Sequence, residues 1–293
     1  MLRRQCPRFS IYMSNLTSLP IAHGNLVFIG GGNMGRSLIG GLVNRGIDPA
    51  RIAVVEPATA VREGLANDYG IRTFAGTGPA MQDAALVLLA VKPQIMRDVC
   101  QSLAPELPGD AVTVSIAAGI TTAQLDGWLG GNRAVVRAMP NTPALLGAGA
   151  TGLYANTRVS ANQRLLASVV LDAVGISVWL DDEAQMDVVT ALSGSGPAYF
   201  FLLAEAMQAA ALELGLPEAA ARALAAQTCL GAGRMLMESH EDAASLRQRV
   251  TSPGGTTQAA LESLAGDGFS RIVARAVAAA TRRGAELSQQ AGR

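Results

Sequence analysis

Leu26-Val27-Phe28-Ile29-Gly30-Gly31-Gly32-Asn33-Met34-Gly35 is the stretch that decides the fold. It predicts a buried apolar strand, a glycine turn and the start of a helix. Gly30, Gly32 and Gly35 have the G-x-G-x-x-G spacing, in which the first glycine makes the tight turn, the second lets the backbone approach a pyrophosphate, and the third brings helix against strand. The free N–H groups at the start of the helix would then bind the diphosphate of a dinucleotide. An ordinary glycine-rich strand-to-helix turn is the simpler alternative.

The composition is that of a globular protein with room for two domains, because the chain has 293 residues, 49% of them hydrophobic. Its 23 basic and 23 acidic residues cancel, so no net charge attracts nucleic acid or an anionic membrane. No apolar run reaches the roughly 18 to 20 uncharged residues that a membrane-spanning helix needs. Cys6, Cys100 and Cys229 have neither metal-ligand nor C-x-x-C spacing, so we expect reduced, mostly buried thiols and a cytoplasmic location.

Apolar runs after the glycine turn predict further strands, and helical stretches separate most of them. These runs are 52–55, 71–74, 84–91, 111–116 and 133–139. Apolar strands that alternate with helices indicate an α/β fold, here a Rossmann-type doubly wound parallel sheet covered on both faces. Ligands bind such sheets beyond the carboxyl ends of the strands. The segments expected to rim one crevice are therefore Glu56, Thr77, 90–93, 117–119 and 139–143.

Helical periodicity replaces the strand pattern from about Asp182 onward. The predicted helices are 199–214, 217–239, 243–250, 256–265 and 269–291. We therefore predict a dinucleotide-binding domain at 24–181 and an all-helical domain at 182–293.

Residues 1–23 are basic, contain several Ser and Thr and have no acidic residue, which superficially resembles an organellar transit peptide. They show no clear amphipathic period. We expect a disordered leader, with Met13 as an alternative start.

Two glycine-rich stretches in the second half are candidates for ligand chemistry. In 251–257, Pro253 and two glycines shape a loop whose N–H groups converge at a helix start, where a substrate carboxylate could be held. An ordinary helix start capped by Ser or Thr explains the same pattern. The stretch 192–199 also predicts a glycine loop, with Pro197 in the first helical turn; it could let the helical domain close on the cofactor, although a tight turn between helices is simpler.

Residue types that the sequence lacks reduce the number of possible reaction mechanisms. Lys92 is the only lysine, so a lysine acid or base in the helical domain is excluded. The only histidines, His23 and His240, lie near no glycine loop, and no cluster has metal-ligand spacing. Reduction of a C=N bond fits these absences, because a protonated iminium accepts hydride at carbon and brings its own proton.

The chain resembles the pyrroline-5-carboxylate reductase family from about Asn25 to its C-terminus. The motifs that carry the resemblance occur in the family's order: 28–34, 90–93, 115–119, 137–143, 193–199 and Ser252-Pro253-Gly254-Gly255-Thr256-Thr257. The last motif is specific to the family, whereas the first is shared by many dehydrogenases. The resemblance implies hydride transfer from NAD(P)H to the imine carbon of 1-pyrroline-5-carboxylate, giving L-proline. It also implies a homodimer through interlocked helical domains, often assembled into rings.

The resemblance further implies the roles of individual residues. Ser252, Gly254, Gly255, Thr256 and Thr257 would bind the substrate carboxylate, and the Thr257 hydroxyl would reach the ring nitrogen as the catalytic group. The implied cofactor-binding residues are Ile29, Gly30, Gly31, Gly32, Asn33, Met34, Gly35, Glu56, Thr77, Ala90, Val91, Lys92, Pro93, Ala117, Ala118, Gly119 and Asn141. No metal is implied.

Glu56 departs from the family's preference for NADPH. It closes the second strand about 20 residues after the glycine loop, where an acid usually binds the ribose hydroxyls of NAD and repels a 2′-phosphate. Thr59 and Arg62 are close enough in sequence to accept that phosphate if Glu56 turns away. NADPH is expected on family grounds, and NADH remains an alternative.

Two other functions compete with the reductase. A β-hydroxyacid or 6-phosphogluconate-type dehydrogenase has a similar architecture but requires a catalytic lysine in the second half, which is absent. A dinucleotide-binding regulatory protein would be favoured by a damaged signature loop, whereas 252–257 is complete.

Overall fold

The computed structural model describes residues 24–291. Their internal contacts divide them into two compact units. The first unit comprises 24–195 together with 279–291, and the second comprises 196–278. The predicted leader, the alternative start at Met13, Cys6 and His23 all lie outside the described residues.

The first unit is built on an eight-stranded sheet in the order β3-β2-β1-β4-β5-β6-β7-β8. Its strands are β1 Asn25–Ile29, β2 Ile52–Val55, β3 Arg72–Phe74, β4 Ala84–Leu89, β5 Val112–Ser115, β6 Ala134–Met139, β7 Gly149–Ala155 and β8 Gly175–Trp179. Strands β1 to β6 are parallel, β7 is antiparallel to β6, and β8 is parallel to β7. The order of the first six strands is that of a dinucleotide-binding sheet. The predicted α/β class is confirmed.

Helices cover both faces of this sheet. They are α1 Asn33–Asn44, α2 Thr59–Tyr69, α3 Met96–Leu103, α4 Thr122–Trp128, α5 Ala161–Asp172 and α6 Gln185–Val189. Strand β1 shows why its sequence is apolar throughout: Leu26 and Phe28 belong to one buried cluster, and Val27 and Ile29 belong to the other. Side chains alternate across a strand, so burial on both faces requires a continuous apolar run.

The sequence prediction missed β7 and β8. Strand β7 contains two glycines, a composition that usually argues against a strand interior. The structure explains one of them, because a Cβ at Gly152 would lie 2.7 Å from the side chain of Val189. Close packing of the end of α6 onto β7 therefore requires a glycine at a position where sequence propensity predicts none.

The second unit is helical, as predicted. It contains α7 Gly196–Glu213, α8 Glu218–Glu238, α9 Ala243–Arg249, α10 Thr256–Gly266 and the first part of α11 Phe269–Ala291. The rest of α11, from residue 279, clusters with the first unit. The predicted domain boundary between 181 and 182 stays a prediction.

Large apolar side chains are widely exposed on the second unit. Phe201 is 69% exposed and Leu214 is 89% exposed, whereas the buried apolar residues of this unit are Ala221, Ala225 and Leu246. Exposed apolar surface of this extent marks an interaction surface. No helix within 24–291 combines the length and hydropathy needed to cross a membrane.

Two local expectations are corrected. The stretch predicted as a glycine loop at 192–199 instead contains the end of a π-helical turn, Thr190–Gly194, then Ser195 and the start of α7. Of the two thiols in the described residues, Cys100 is buried as expected, but Cys229 is exposed. Burial raises the pKa of the Cys100 thiol to about 12.

Candidate active site

The glycine turn has the geometry that its spacing predicts. Gly30 has φ +100°, and a Cβ there would lie 2.8 Å from the carbonyl oxygen of Ala90. A Cβ on Gly35 would lie 2.8 Å from the carbonyl oxygen of Gly30, so this glycine brings α1 close to the turn. A Cβ on Gly32, in contrast, would meet no atom within 4 Å. The space beside Gly32 and a helix start without a side-chain cap fit a dinucleotide diphosphate.

The predicted rim segments follow neighbouring parallel strands and therefore share the carboxyl edge of the sheet. Hydrogen bonds continue the strand ladder past the strand ends, from Gly30 N to Val55 O (2.9 Å), from Ala90 N to Ile29 O (2.8 Å) and from Ile116 N to Leu89 O (3.2 Å). Glu56 follows β2, Thr77 follows β3, 90–93 follow β4, 117–119 follow β5, and 139–143 follow β6. The structure thus brings together the predicted cofactor residues of the first unit.

The Glu56 carboxylate turns toward the glycine loop. Its Oε2 accepts a hydrogen bond from the Gly31 backbone N–H (2.9 Å), and its Oε1 accepts one from the Ala58 N–H (3.0 Å). Both oxygens therefore hold backbone of the cofactor turn and of the segment that leads into α2. A carboxylate with its oxygens engaged in this way supports the loop rather than projecting freely toward a ribose.

Arg62 lies beside Glu56, at the first turn of α2. Its Nη1 donates to the carbonyl oxygens of Glu56 and Pro57 (2.7 Å each), and its Nη2 donates to Thr59 Oγ1 (3.0 Å). These bonds use three of the five N–H donors of the guanidinium. The Arg62 guanidinium and the Thr59 hydroxyl are thus placed together where β2 leads into α2.

Asn141 holds two segments of the first unit together. Its side-chain Nδ2 donates to the Ser193 carbonyl oxygen (3.0 Å), and its Oδ1 accepts from the Ala150 N–H (2.9 Å). Asn141 is buried, and these bonds tie the π-helical turn to the start of β7. Its amide therefore already has protein partners on both its nitrogen and its oxygen.

The end of α11 packs against the predicted nicotinamide loop. A Cβ on Gly119, which has φ +75°, would lie 3.4 Å from the backbone of Leu287 and Ser288. The side-chain Nε2 of Gln124, in α4, donates to the Ser288 carbonyl oxygen (3.4 Å). Residues at the end of the chain therefore support the loop at 117–119, a contact that sequence reasoning did not find.

The predicted substrate loop has the form of an uncapped helix start. Gly254 has φ +68°, the Gly255 N–H donates to the Ser252 carbonyl oxygen (3.0 Å), and α10 begins after Gly255 without a side-chain cap. Gln258 Oε1 accepts from the Gly254 N–H (2.8 Å). The ordinary Ser- or Thr-capped start, the alternative that the sequence left open, is therefore not what the structure shows.

Sequence reasoning also missed a buried ionic cluster centred on Arg137. Arg137 is 4% exposed and lies 3.6 Å from Glu183 and 3.4 Å from Asp187. The available signal was one charged residue inside the apolar run 133–139, which in a sheet covered on both faces demands a buried partner.

Comparisons with known proteins agree with this geometry. Residues 183–287 match a family model described as pyrroline-5-carboxylate reductase dimerisation. Residues 25–119 match a model described as NADP oxidoreductase, coenzyme F420-dependent.

The chain matches several known proteins over nearly their whole lengths. The chain is 52% identical to the pyrroline-5-carboxylate reductase of Pseudomonas aeruginosa over 267 residues, which cover 91% of this chain and 98% of the relative. Among solved structures, the pyrroline-5-carboxylate reductase of Coxiella burnetii has a TM-score of 0.88 and 42% identity, covering 91% of this chain and 99% of that one. The Plasmodium falciparum pyrroline carboxylate reductase with NADP bound has a TM-score of 0.77 and 28% identity, covering 90% and 98%.

Proposed function

The chain belongs to the pyrroline-5-carboxylate reductase family, and we propose how its own residues perform the reduction of 1-pyrroline-5-carboxylate to L-proline. The protein is an NAD(P)H-dependent oxidoreductase of proline biosynthesis. The reduced cofactor supplies the hydride, and the imine carbon of the substrate accepts it. The protein must therefore bind the anionic cofactor and the carboxylate group of the substrate, and bring the two reacting carbons together.

The glycine turn of the first unit binds the cofactor in this proposal. Backbone N–H groups at the start of α1 donate to the diphosphate, with Gly32 leaving the space for its approach. The nicotinamide half lies along 90–93 and 117–119, and Thr77 lies near the adenosine. Asn141 keeps its predicted place at this edge, but we assign it the task of holding the π-helical turn, because its amide is already bonded to Ser193 and Ala150.

The loop 252–257 binds the substrate in this proposal. The uncapped N–H groups at the start of α10, together with the hydroxyls of Ser252 and Thr256, hold the carboxylate. The Thr257 hydroxyl oxygen accepts a hydrogen bond from the N–H of the protonated ring nitrogen. An iminium substrate enters protonated, so this hydrogen bond orients the ring and no general base is required.

The observation that carries the proposal is the open space beside Gly32 at an uncapped helix start, within a turn where Gly30, Gly31 and Gly35 are all closely packed. The direct test is oxidation of NADPH and of NADH with 1-pyrroline-5-carboxylate as substrate. Rapid turnover with either cofactor is expected. Cofactor binding without any turnover would favour the regulatory alternative or another cyclic imine.

NADPH is the preferred cofactor in this proposal. Glu56 is bonded to Gly31 and Ala58, while Arg62 and Thr59 present a cation and a hydroxyl where the 2′-phosphate would lie. Arg62→Met is expected to lower kcat/KM for NADPH by about tenfold to a hundredfold, because a charged hydrogen bond contributes about 1.5 to 3 kcal/mol. NADH turnover should change little.

Glu56→Gln separates the two possible roles of the carboxylate. If Glu56 supports the loop, the substitution weakens both cofactors alike, because the Gly31 N–H loses a charged acceptor. If Glu56 binds ribose hydroxyls, NADH is weakened selectively. Glu63→Gln, at an exposed position of α2, is the control.

The chain forms a homo-oligomer, in keeping with its match to a dimerisation model. We assign the interface to the exposed apolar side chains of the second unit, with a second copy of the chain covering them, and propose a homodimer that can assemble further into rings. A cytoplasmic location is part of the same proposal, supported by the free thiols of Cys100 and Cys229.

A further inference from the structure

Arg137 is a buried cation near the carboxyl end of β6. It pairs with Ser115 of β5 on one side and with Tyr154 of β7 on the other. Its guanidinium faces two carboxylates, with Nη1 3.6 Å from Glu183 Oε1 and Nη2 3.4 Å from Asp187 Oδ1. A buried charge persists only when partners compensate its desolvation, so these carboxylates are required wherever Arg137 is present.

Glu183 extends the cluster to the start of α4. Its Oε1 accepts from the Thr122 backbone N–H (2.7 Å), and its Oε2 accepts from the Thr122 hydroxyl (2.8 Å). A carboxylate at a helix start is held by the free N–H groups and by the helix dipole. Because α4 begins at Thr122, only three residues after Gly119, Arg137 fixes, through Glu183, the start of the helix that follows the loop we assign to the nicotinamide.

Asp187 extends the cluster in the other direction. It lies in α6, which continues into the π-helical turn Thr190–Gly194. Asn141, which follows β6, also holds this turn, because its side chain donates a hydrogen bond to the Ser193 carbonyl oxygen. One strand thus anchors both α4 and the turn after α6.

We propose that Arg137 is a positioning residue for hydride transfer, acting through Glu183 and Asp187 on the two segments that border the carboxyl end of β6. Arg137 is only 4% exposed, so in this proposal it acts through its two carboxylate partners and not by direct contact with cofactor or substrate. This inference rests on the proposed placement of the nicotinamide beside 117–119. A displacement of about 1 Å at the reacting atoms can reduce the rate about a hundredfold, so a residue of this kind acts on kcat more than on cofactor affinity.

Removing Arg137 alone would leave two partly buried carboxylates unpaired and could unfold the chain. The test therefore uses the neutralised triple variant Arg137→Met, Glu183→Gln and Asp187→Asn, in which no charge is stranded. Arg137→Lys is the second variant, because lysine keeps the charge but lacks the planar fork that reaches both carboxylates. Each is compared with the wild type for thermal midpoint, kcat, KM for NADPH, and the primary deuterium isotope effect with NADPH labelled at the transferred position.

Arg133→Met is the matched control. Arg133 precedes the same strand at its other end and is partly buried, but it donates to the carbonyl oxygens of Ala104, Leu107 and Pro108. This variant should lower the thermal midpoint while leaving kcat and the isotope effect unchanged.

The triple variant should lose about tenfold to a hundredfold in kcat, with a raised isotope effect and a nearly unchanged KM for NADPH. Arg137→Lys should fall between it and the wild type. A folded triple variant, or a folded Arg137→Lys variant, with wild-type kcat and isotope effect would overturn the proposal and leave Arg137 a structural role only. Failure of the wild type to reduce 1-pyrroline-5-carboxylate would instead refute the proposed function.

Discussion

Substitution of the glycines in the cofactor turn separates folding from binding. Gly32→Ala adds a methyl group where no protein atom lies within 4 Å, at a residue with φ −66° that alanine readily adopts. Loss of unfolded-state entropy stabilises the variant by about 0.4 to 1 kcal/mol. Replacing the N-cap glycine with alanine lowers the free energy of unfolding by about the same amount, since alanine is among the poorer N-cap residues. The two effects nearly cancel, so the thermal midpoint of the apo protein should move by no more than about 4 °C.

Cofactor binding should respond quite differently. The new methyl group would occupy the space through which the diphosphate approaches the N–H groups of α1. Displacement from one charged hydrogen bond costs about 1.5 to 3 kcal/mol, which weakens the Kd for NADPH by about tenfold to 150-fold. Fluorescence titration with NADPH and thermal unfolding without ligand measure the two quantities separately.

Gly35→Ala is the matched comparison. Its Cβ would lie 2.8 Å from the Gly30 carbonyl oxygen in a buried turn, so overpacking should cost about 1 to 3 kcal/mol and lower the apo thermal midpoint. If Gly32→Ala destabilises the apo protein as much as Gly35→Ala does, or binds NADPH within twofold of the wild type, the assignment of the diphosphate to this space is wrong.

Three further predictions concern the substrate loop, the thiols and the interface. Thr257→Ala should lower kcat/KM for 1-pyrroline-5-carboxylate by about tenfold, as expected for one lost hydrogen bond. Thr251→Ala is the control, because the Thr251 hydroxyl donates to the Arg247 carbonyl oxygen. Equal kinetics for the two variants would show that Thr257 does not have the proposed role. Alkylation at pH 8 followed by peptide mapping should leave Cys100 unmodified in the native protein but label it after unfolding. Burial raises the pKa of Cys100 to about 12 and keeps it a thiol at that pH. Rapid labelling of Cys100 in the native protein would contradict its burial. Phe201→Glu places a charge on the exposed apolar surface of the second unit and should reduce the mass of the oligomer measured by light scattering. Phe201→Leu should leave that mass unchanged. An unchanged mass for Phe201→Glu would exclude this part of α7 from the interface.

The sequence predicted the first six strands and the helices of the second unit because their patterns are local. Strand β2 was predicted at its observed bounds, and α8 differs from its prediction by one residue at each end. Strands β7 and β8 were missed because glycines at 149, 152 and 175 weaken any strand signal, and the reason for those glycines is close approach of distant backbone and side chains.

The candidate site likewise has parts that the sequence could predict and parts that it could not. The glycine turn was predictable because its function depends on spacing within one short stretch. The direction in which Glu56 points was not predictable, because its partners are the backbone N–H groups of Gly31 and Ala58, which only the fold brings within reach. The Arg137 cluster joins residues 122, 137, 183 and 187, and no local pattern connects positions so far apart.

The division of α11 between the two units affects the order in which parts of the protein fold during synthesis. Residues 279–291 cluster with the first unit, although that unit's sheet is complete by residue 179. On the ribosome, domains generally fold in the order in which they emerge. Here the sheet can form early, but the support that α11 gives to the loop around Gly119 arrives more than a hundred residues after the last strand. A nascent chain would therefore carry a nicotinamide loop that lacks this support until α11 has been synthesised, so competence to bind cofactor should be acquired only after the second unit has emerged.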